Sequence, residues 1–406
     1  MAGPVEGSDR VRPAGSPGEV FLAFLKLGLT SFGGPIAHLG FFRDELVVRR
    51  RWIDEKAYAE LVALCQFLPG PASSQVGFAL GLLRGGPLGA LAAFVAFTLP
   101  SAALMLLFAY GAAAFGGPVG GGIVAGLKIV AVAIVAQAVW GMARSLAPDR
   151  ERATIALGAV LIVILAAGAA GQVLAIAAGG IAGLLVCRTA TEPAAVHAGF
   201  RVSRLAGMVS LALFFALLAG LPFVANHAGS PGLAVFDAFY RAGSLVFGGG
   251  HVVLPLLESE VVGRGWAGHD QFLAGYGAAQ AVPGPLFTFA AYLGAILNTG
   301  SGGFAGAAIA LAGVFLPGFL LLLGVIPFWD RFRRMSGMQA LMRGANAAVV
   351  GILGAALYDP VFSSAVTDPR RFALALTCFV LLMAWKAAPW IVVLVGAAGG
   401  VLLGAG

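Results

Sequence analysis

The chain has 406 residues, of which 60% are hydrophobic and only 11% charged, with a mean hydropathy of +0.94. A water-facing globular surface does not tolerate that balance, so a soluble enzyme or binding module is excluded. The net charge of +7 does not indicate nucleic acid as a partner, because Arg and Lys gather in short polar breaks between apolar segments, the positive-inside pattern of a multi-pass membrane protein.

Residues 1–18 are polar and rich in Gly and Pro, lack the basic, apolar and small-residue order of a cleavable signal, and are expected to form a disordered cytoplasmic tail. Apolar stretches of roughly 20 residues, the length that crosses ~30 Å of hydrocarbon, then recur almost without pause. They cover 20–41, 57–83, 86–115, 118–145, 153–169, 171–187, 205–225, 234–250, 271–298, 303–329, 338–358, 371–385 and 389–404. Cys65, Cys187 and Cys378 are scattered through apolar surroundings and behave as small hydrophobes, so no disulfide, metal or cofactor is expected.

With the N-terminus inside, alternation puts Arg144, Arg150 and Arg152 in the cytoplasm, then Arg188, Arg201 and Arg204, then Arg331, Arg333 and Arg334. Two groups conflict: Arg43, Arg49, Arg50, Arg51 and Lys56, and the pair Arg370 and Arg371. The first conflict vanishes if 20–41 and 57–83, both interrupted by Gly or Pro, are re-entrant or broken helices that enter and leave on the cytoplasmic side. Such backbone is tolerated only where protein or a water-filled cavity surrounds it. The second conflict stays.

An internal repeat organises the chain. Phe24, Lys26, Gly28, Phe32, Gly33 and Gly34 recur as Phe239, Arg241, Gly243, Phe247, Gly248 and Gly249, a shift of 215 from 26 to 241, and Glu45 recurs as Glu260. Gln66, Pro69, Gly70 and Pro71 recur as Gln280, Pro283, Gly284 and Pro285 at a shift of 214; Pro100 answers Pro317, and Lys128 answers Arg343. Seven apolar segments separate the two starts, so the second half is expected upside down relative to the first. The fold class is all-α: a polytopic membrane protein of two inverted repeats with about five to six transmembrane or re-entrant helices each, the architecture of many secondary transporters. The expected division is a tail over 1–18, a first repeat over 19–188, a linker with a connecting helix over 189–233 and a second repeat over 234–406.

The repeated motifs suggest what that architecture does. Each PGP triplet breaks its helix, because Pro removes a donor and blocks the preceding turn. A break leaves amides free at a half-helix N-terminus, where they hold an anion, and the hydroxyls of Ser73, Ser74 and Thr288 follow immediately. A packing kink is the alternative. Lys26 with Arg241, and Lys128 with Arg343, are paired cations within apolar segments, where a charge costs at least ~2.5 to 3.5 kcal/mol; snorkelling explains Lys26 alone, and an anionic substrate explains the pairs. Asp44, Glu45, Glu258 and Glu260 are expected on a solvated face or in salt bridges with Arg43 and Arg264, a gate ion pair being the alternative.

FLKLGLTSFGGPIAHLGFFRDELV followed by LCQFLPGPASSQVGFALG, then FYRAGSLVFGGGHVVLPLLESEVV followed by AAQAVPGPLFTFAAYLG, resemble the chromate ion transporter family in its long two-domain form, from about Val20 to Gly406. The resemblance implies an inner-membrane carrier, not an enzyme, that expels chromate and meets sulfate as a look-alike competitor. The substrate positions it implies are Lys26, Gly33, Gly34, Gln66, Pro69, Gly70 and Pro71, with Arg241, Gly248, Gly249, Gln280, Pro283, Gly284 and Pro285. One departure is visible: the first half reads GGP where the second reads GGGH, so Gly250 stands in place of Pro35. Expected partners are the oxyanion and membrane lipid, with a homodimer allowed. The competing readings are an importer or exchanger of sulfate or another oxyanion, and an integral phosphatase of lipid pyrophosphates, whose required Arg is missing from PGPASSQ and PGPLFTF.

Overall fold

The computed structural model describes residues 15–112, 117–166, 168–187, 200, 202–247, 250–332 and 334–404, and among them every regular element is helical. The first half opens with α1 (Pro17–Thr30), α2 (Gly34–Phe42) continued by a π-helical turn Arg43–Arg49, α3 (Glu55–Phe67) and α4 (Ala72–Ala112). Next come α5 (Gly117–Leu146), α6 (Arg150–Leu165) and α7 (Ala169–Val186), and α8 (Arg204–Ala228) joins the halves. The second half comprises α9 (Pro231–Ser244), α10 (Val253–Val261), α11 (His269–Ala279), α12 (Phe289–Ile296) and α13 (Gly303–Val325). It ends with α14 (Trp329–Phe332), α15 (Ser336–Ala356), α16 (Ser363–Ala365), α17 (Pro369–Met383) and α18 (Pro389–Gly404).

Helix α1 starts at Pro17, inside the stretch expected as tail, because the Ser16 hydroxyl accepts the Glu19 amide at 3.2 Å and Pro17 supplies a pre-set first turn. The tail's residues 1–14 lie outside the described residues, as do Arg188, Arg201 and Arg333. Asp149 and Asp368 cap α6 and α17 in polar loops. The Asp149 carboxyl is held below the usual range by hydrogen bonds from the Arg152 side chain and amide, and Asp368 by the amides of Arg371 and Arg370.

Among the described residues, six helices are long and apolar enough to cross a bilayer. The elements around the FGG and PGP motifs are shorter and double back. Helix α4 bends sharply where Gly85 and Gly86 leave helical geometry, Gly86 at φ 66° followed by Pro87. Its first arm, 72–84, returns to the start of α1: the Gly15 amide donates to the Arg84 carbonyl at 2.8 Å, and the Arg84 guanidinium pairs with Glu19 at 3.0 Å and lies over Trp52. The start of α1, the loop after the π-helical turn and the bend of α4 therefore share one side of the molecule, the near side. Both first-half hairpins enter and leave there, which puts Arg43, Arg49, Arg50, Arg51 and Lys56 with the other basic loops, as re-entrance requires.

The second half does the same from the opposite face. The long arm of α4 ends beside the start of α13, where the Tyr110 and Phe304 rings lie tilted against each other with centroids 5.5 Å apart. Gly232, at the start of α9, lies beside Ile309 and Ser301 on that far side. Helix α1 runs inward until Gly28 abuts the Ala96 and Phe97 carbonyls of α4, and α9 runs inward until Gly243 abuts the Val314 carbonyl of α13. The halves are inverted. Arg370 and Arg371 remain on the far side, against the charge rule.

The two halves also exchange their last helix pairs. Helices α6 and α7 of the first half pack on α15 of the second, while α17 and α18 of the second pack on α5 of the first. Both contacts use small residues to bring backbones together: Gly122 and Gly126 against Gly396 and Gly400, and Gly179 and Gly183 against Gly344. A Cβ on Gly126 would lie 2.1 Å from the Gly396 carbonyl oxygen, whereas one on Gly141 of the same helix meets open space. Gly126→Val is therefore expected to cost at least ~3 kcal/mol, the upper range for overpacking, and Gly141→Val to be neutral. Thermal unfolding of the two detergent-purified variants checks this, and similar melting temperatures would contradict the packing.

Candidate functional site

Halfway along the long helices the four breaks meet. The Gly70 amide donates to the Val246 carbonyl at 2.7 Å, and the Gly284 amide donates to the Ser31 carbonyl at 2.9 Å. Both bonds join the glycine of one PGP to the residue just before FGG in the other half, so they are the same contact made twice about a pseudo-two-fold axis. Gly70 and Gly284 hold φ of 125° and 96°, which L side chains rarely adopt. Space forbids side chains as well: a Cβ on Gly70 would lie 3.0 Å from the Gly318 Cα, and one on Gly284 would lie 2.9 Å from the Ser101 hydroxyl. Each loop thus presses on the other half's long helix next to its internal proline, Pro317 or Pro100. Gly250 faces Pro35 across the same centre, its Cβ position 3.3 Å from the Pro35 ring, so the departure from repeat symmetry is a contact between the two halves.

Around this centre the first half gathers buried polar groups. Ser31, His38, Ser73, Ser74, Gln75, Thr98 and Ser101 are all buried. His38 Nδ1 lies 3.4 Å from the Ser73 hydroxyl, and its ring stands edge-on to Phe97 with centroids 5.5 Å apart. Gln75 donates to the Pro69 carbonyl at 3.1 Å and to the Gly318 carbonyl at 2.9 Å, locking the PGP loop to α13. Among the described residues the Ser31, Ser74 and Thr98 hydroxyls and His38 Nε2 have no hydrogen-bond partner, although the Ser31 backbone lies near the His38 ring. The helix breaks leave the first-turn amides of α2 and α4 without intrahelical acceptors at the same level.

Two ion-pair clusters flank the centre. On the near side Glu45 accepts from Lys26 at 2.7 Å, Arg50 at 2.8 Å and Arg49 at 3.1 Å, three cations around one carboxylate. On the far side Arg241 bridges Glu260 at 2.9 Å and Asp237 at 3.1 Å, and Arg264 reaches Glu260 at 2.8 Å. A cavity of about 460 Å³ opens beside Arg241, lined also by Gln172, Ser259 and the first turn of α7.

Several expected site residues therefore have a different place. Lys26 and Arg241 are already neutralised by the repeat-matched carboxylates Glu45 and Glu260, because each re-entrant hairpin folds its second arm onto its first. Glu260 pairs with Arg264 and Asp44 with Arg43, at 3.8 Å, as expected, but the short bond of Arg43 goes to Glu55 at 2.6 Å and not to Glu45. The Gly70 and Gly284 amides are occupied by the crossing bonds, and the Thr288 hydroxyl donates to the Pro285 carbonyl at 2.8 Å. Lys128 reaches Asp270 at 2.5 Å, and Arg343 reaches the Cys187 carbonyl at the end of α7 at 3.4 Å, so neither joins the central loops. Gln66 is exposed, while Gln280 is half-buried with its Nε2 unpartnered. Pro69, Pro71, Pro283 and Pro285 flank the crossing glycines, and Gly33 and Gly34, at φ of 98° and 80°, form the first-half break. Gly248 and Gly249 lie outside the described residues. His38 and Thr98 carry no repeat signal, their equivalents being Val253 and Phe315, and Ser31 opens the SFGGP motif but has Val246 as its equivalent.

A family model described as chromate transporter matches residues 18–184 and 233–401. The chromate transport protein of Pseudomonas aeruginosa is 32% identical over 402 residues, 97% of this chain and 93% of that protein. That of Cupriavidus metallidurans is 27% identical over 395 residues, with 97% and 94% covered. An uncharacterized transporter of Methanocaldococcus jannaschii is 27% identical over 346 residues, 82% of each chain. No solved structure is significantly similar to the chain.

The ion-pair clusters make an unequal prediction. Arg241→Met leaves buried Asp237, one oxygen of which is already unpartnered, without a cation and leaves Glu260 with Arg264 alone, and is expected to cost about 3 kcal/mol. Lys26→Met leaves Glu45 with Arg49 and Arg50, and Lys26 is 47% exposed, so less than about 1 kcal/mol is expected. Thermal unfolding of both variants in the same detergent measures the difference; equal losses would contradict it.

Proposed function

Because the chain belongs to the chromate transporter family, we propose that it is a secondary carrier that exports chromate from the cytoplasm and so confers chromate resistance, with sulfate as a competing oxyanion. The observation that carries this reading is the pair of crossing bonds, Gly70 to Val246 and Gly284 to Ser31. They join two inverted halves at interrupted helices midway through the bundle, which is where alternating-access carriers hold substrate. Rocking one half against the other about these loops opens the centre first to the near side and then to the far side. The near side is the cytoplasmic one, since the basic loops 43–56 and 144–152 and the basic residues Arg331 and Arg334 collect there. The membrane is the bacterial inner membrane.

Charge supports the direction. The near-side cluster sets three cations against one carboxylate, whereas the far-side cluster balances two cations with two carboxylates. An anion is therefore drawn to the cytoplasmic mouth and released from a neutral one. With the cytoplasm negative, moving two negative charges outward gains about 4.6 kcal/mol per 100 mV, from ~2.3 for each charge.

Uptake of labelled chromate into inverted membrane vesicles tests the proposal. Uptake is expected to rise when the vesicle lumen is made positive, to fall when sulfate is added, and to drop at least ~100-fold in Gly70→Ala, whose new Cβ opposes the Gly318 backbone. Uptake that ignores the imposed potential would replace export with electroneutral exchange, and no uptake by folded protein would remove the chromate assignment.

A further inference from the structure

The repeat is symmetric in its glycines and prolines and asymmetric in its polar side chains. At the register of the FGG motifs, Ser31 and His38 correspond to Val246 and Val253; at that of the PGP motifs, Ser73 corresponds to Phe287. At that of the two internal prolines, Thr98 and Ser101 correspond to Phe315 and Gly318. Only Ser74 has a hydroxyl counterpart, Thr288, and that hydroxyl is bound to its own turn. Every buried polar group that the first half sets around the centre thus faces an apolar or self-bonded equivalent in the second.

The first-half groups form one neighbourhood. His38 lies against Ser73 and Phe97; the backbone of Phe97 and the side chain of Ser101 meet Gly284; Gly284 bonds Ser31. At these contacts, or one residue from them in the case of Ser74 and Thr98, the hydroxyls of Ser31, Ser74 and Thr98 and His38 Nε2, on residues that are 4% exposed or less, have no hydrogen-bond partner among the described residues. Four such groups are costly to leave unsatisfied, and α2 and α4 both begin here with free amides.

We propose that a tetrahedral oxyanion is held by the first half alone, through the Ser31, Ser74 and Thr98 hydroxyls, His38 Nε2 and the first-turn amides of α2 and α4, with Val246, Phe287 and Phe315 of the second half as an apolar wall. In the tautomer in which Ser73 donates to Nδ1, neutral His38 carries its proton on Nε2 and offers it to the anion. No formal cation touches the anion; Lys26 and its neighbours act from one side as an attracting field. This rests on the transport reading for its ligand class, and it assigns the ligand's contacts to neutral donors instead of the paired cations.

The test compares the full-length chain with Ser74→Ala, Thr98→Val and Ser31→Ala, and with Ser145→Ala on the near-side end of α5 as control. Chromate KM in vesicles is expected to rise at least ten-fold in each of the first three, with unchanged melting temperature without ligand, and the thermal stabilisation that chromate gives the purified wild type is expected to vanish. Ser145→Ala keeps both. If all three central variants retain wild-type KM within two-fold, this assignment falls while the transport reading stands. If chromate stabilises the wild type but not the variants and no transport is seen, the assignment stands and the transport reading falls. A wild type that neither transports nor is stabilised overturns both.

Discussion

A bilayer interior supplies no water to a helix that stops halfway, so the amides and carbonyls freed at a break need partners from elsewhere in the protein. Here the partners come from the opposite half, through the Gly70 and Gly284 amides and the Val246 and Ser31 carbonyls. The internal prolines obey the same constraint. Pro100 and Pro317 cannot donate to the carbonyls four residues earlier, and the small residues Gly28 and Gly243 let α1 and α9 come close to the backbone there. The positions that lose regular hydrogen bonding are thus the positions at which the halves hold each other. A centre assembled in this way is polar, buried and shaped by backbone, which suits an anion that must shed its hydration shell.

The architecture was legible in the sequence wherever backbone chemistry decided it. The two PGP triplets and the first FGG are interrupted because Gly and Pro leave no alternative, and the re-entrance of 20–41 and 57–83 followed from the conflict over Arg49 to Arg51. Ion pairing was less legible. Lys26 and Glu45 are 19 residues apart, as are Arg241 and Glu260, and only the tight reversal at each break brings them together. The same reversal turned presumed substrate cations into satisfied partners. The crossing bonds could not be read at all, since a backbone amide carries no side-chain signature. His38 and Thr98 were overlooked for a different reason: a repeat draws attention to what recurs, whereas a division of labour is recorded in what does not.

That division resembles the outcome expected when two copies of one unit occupy equivalent places around a single substrate. Under the proposed rocking the backbone scaffold has to stay matched in the two halves, and the glycines and prolines recur in both. The side chains that meet one off-axis ligand have no such obligation. Ser31 against Val246, His38 against Val253 and Thr98 against Phe315 are the visible result.

The exchange of terminal helix pairs has a consequence for biogenesis. Helices α6 and α7 leave the ribosome long before α15, the surface they cover, exists, and α5 waits for α17 and α18, the last elements made. Neither half is a self-contained folding unit; the nascent first half must sit in the membrane with its glycine seams on lipid until the C-terminal segment arrives. Closure of both seams is therefore late, the α6 and α7 seam with α15 and the α5 seam with α17 and α18, and a chain that stops short of α17 leaves the Gly122 and Gly126 face of its first half open.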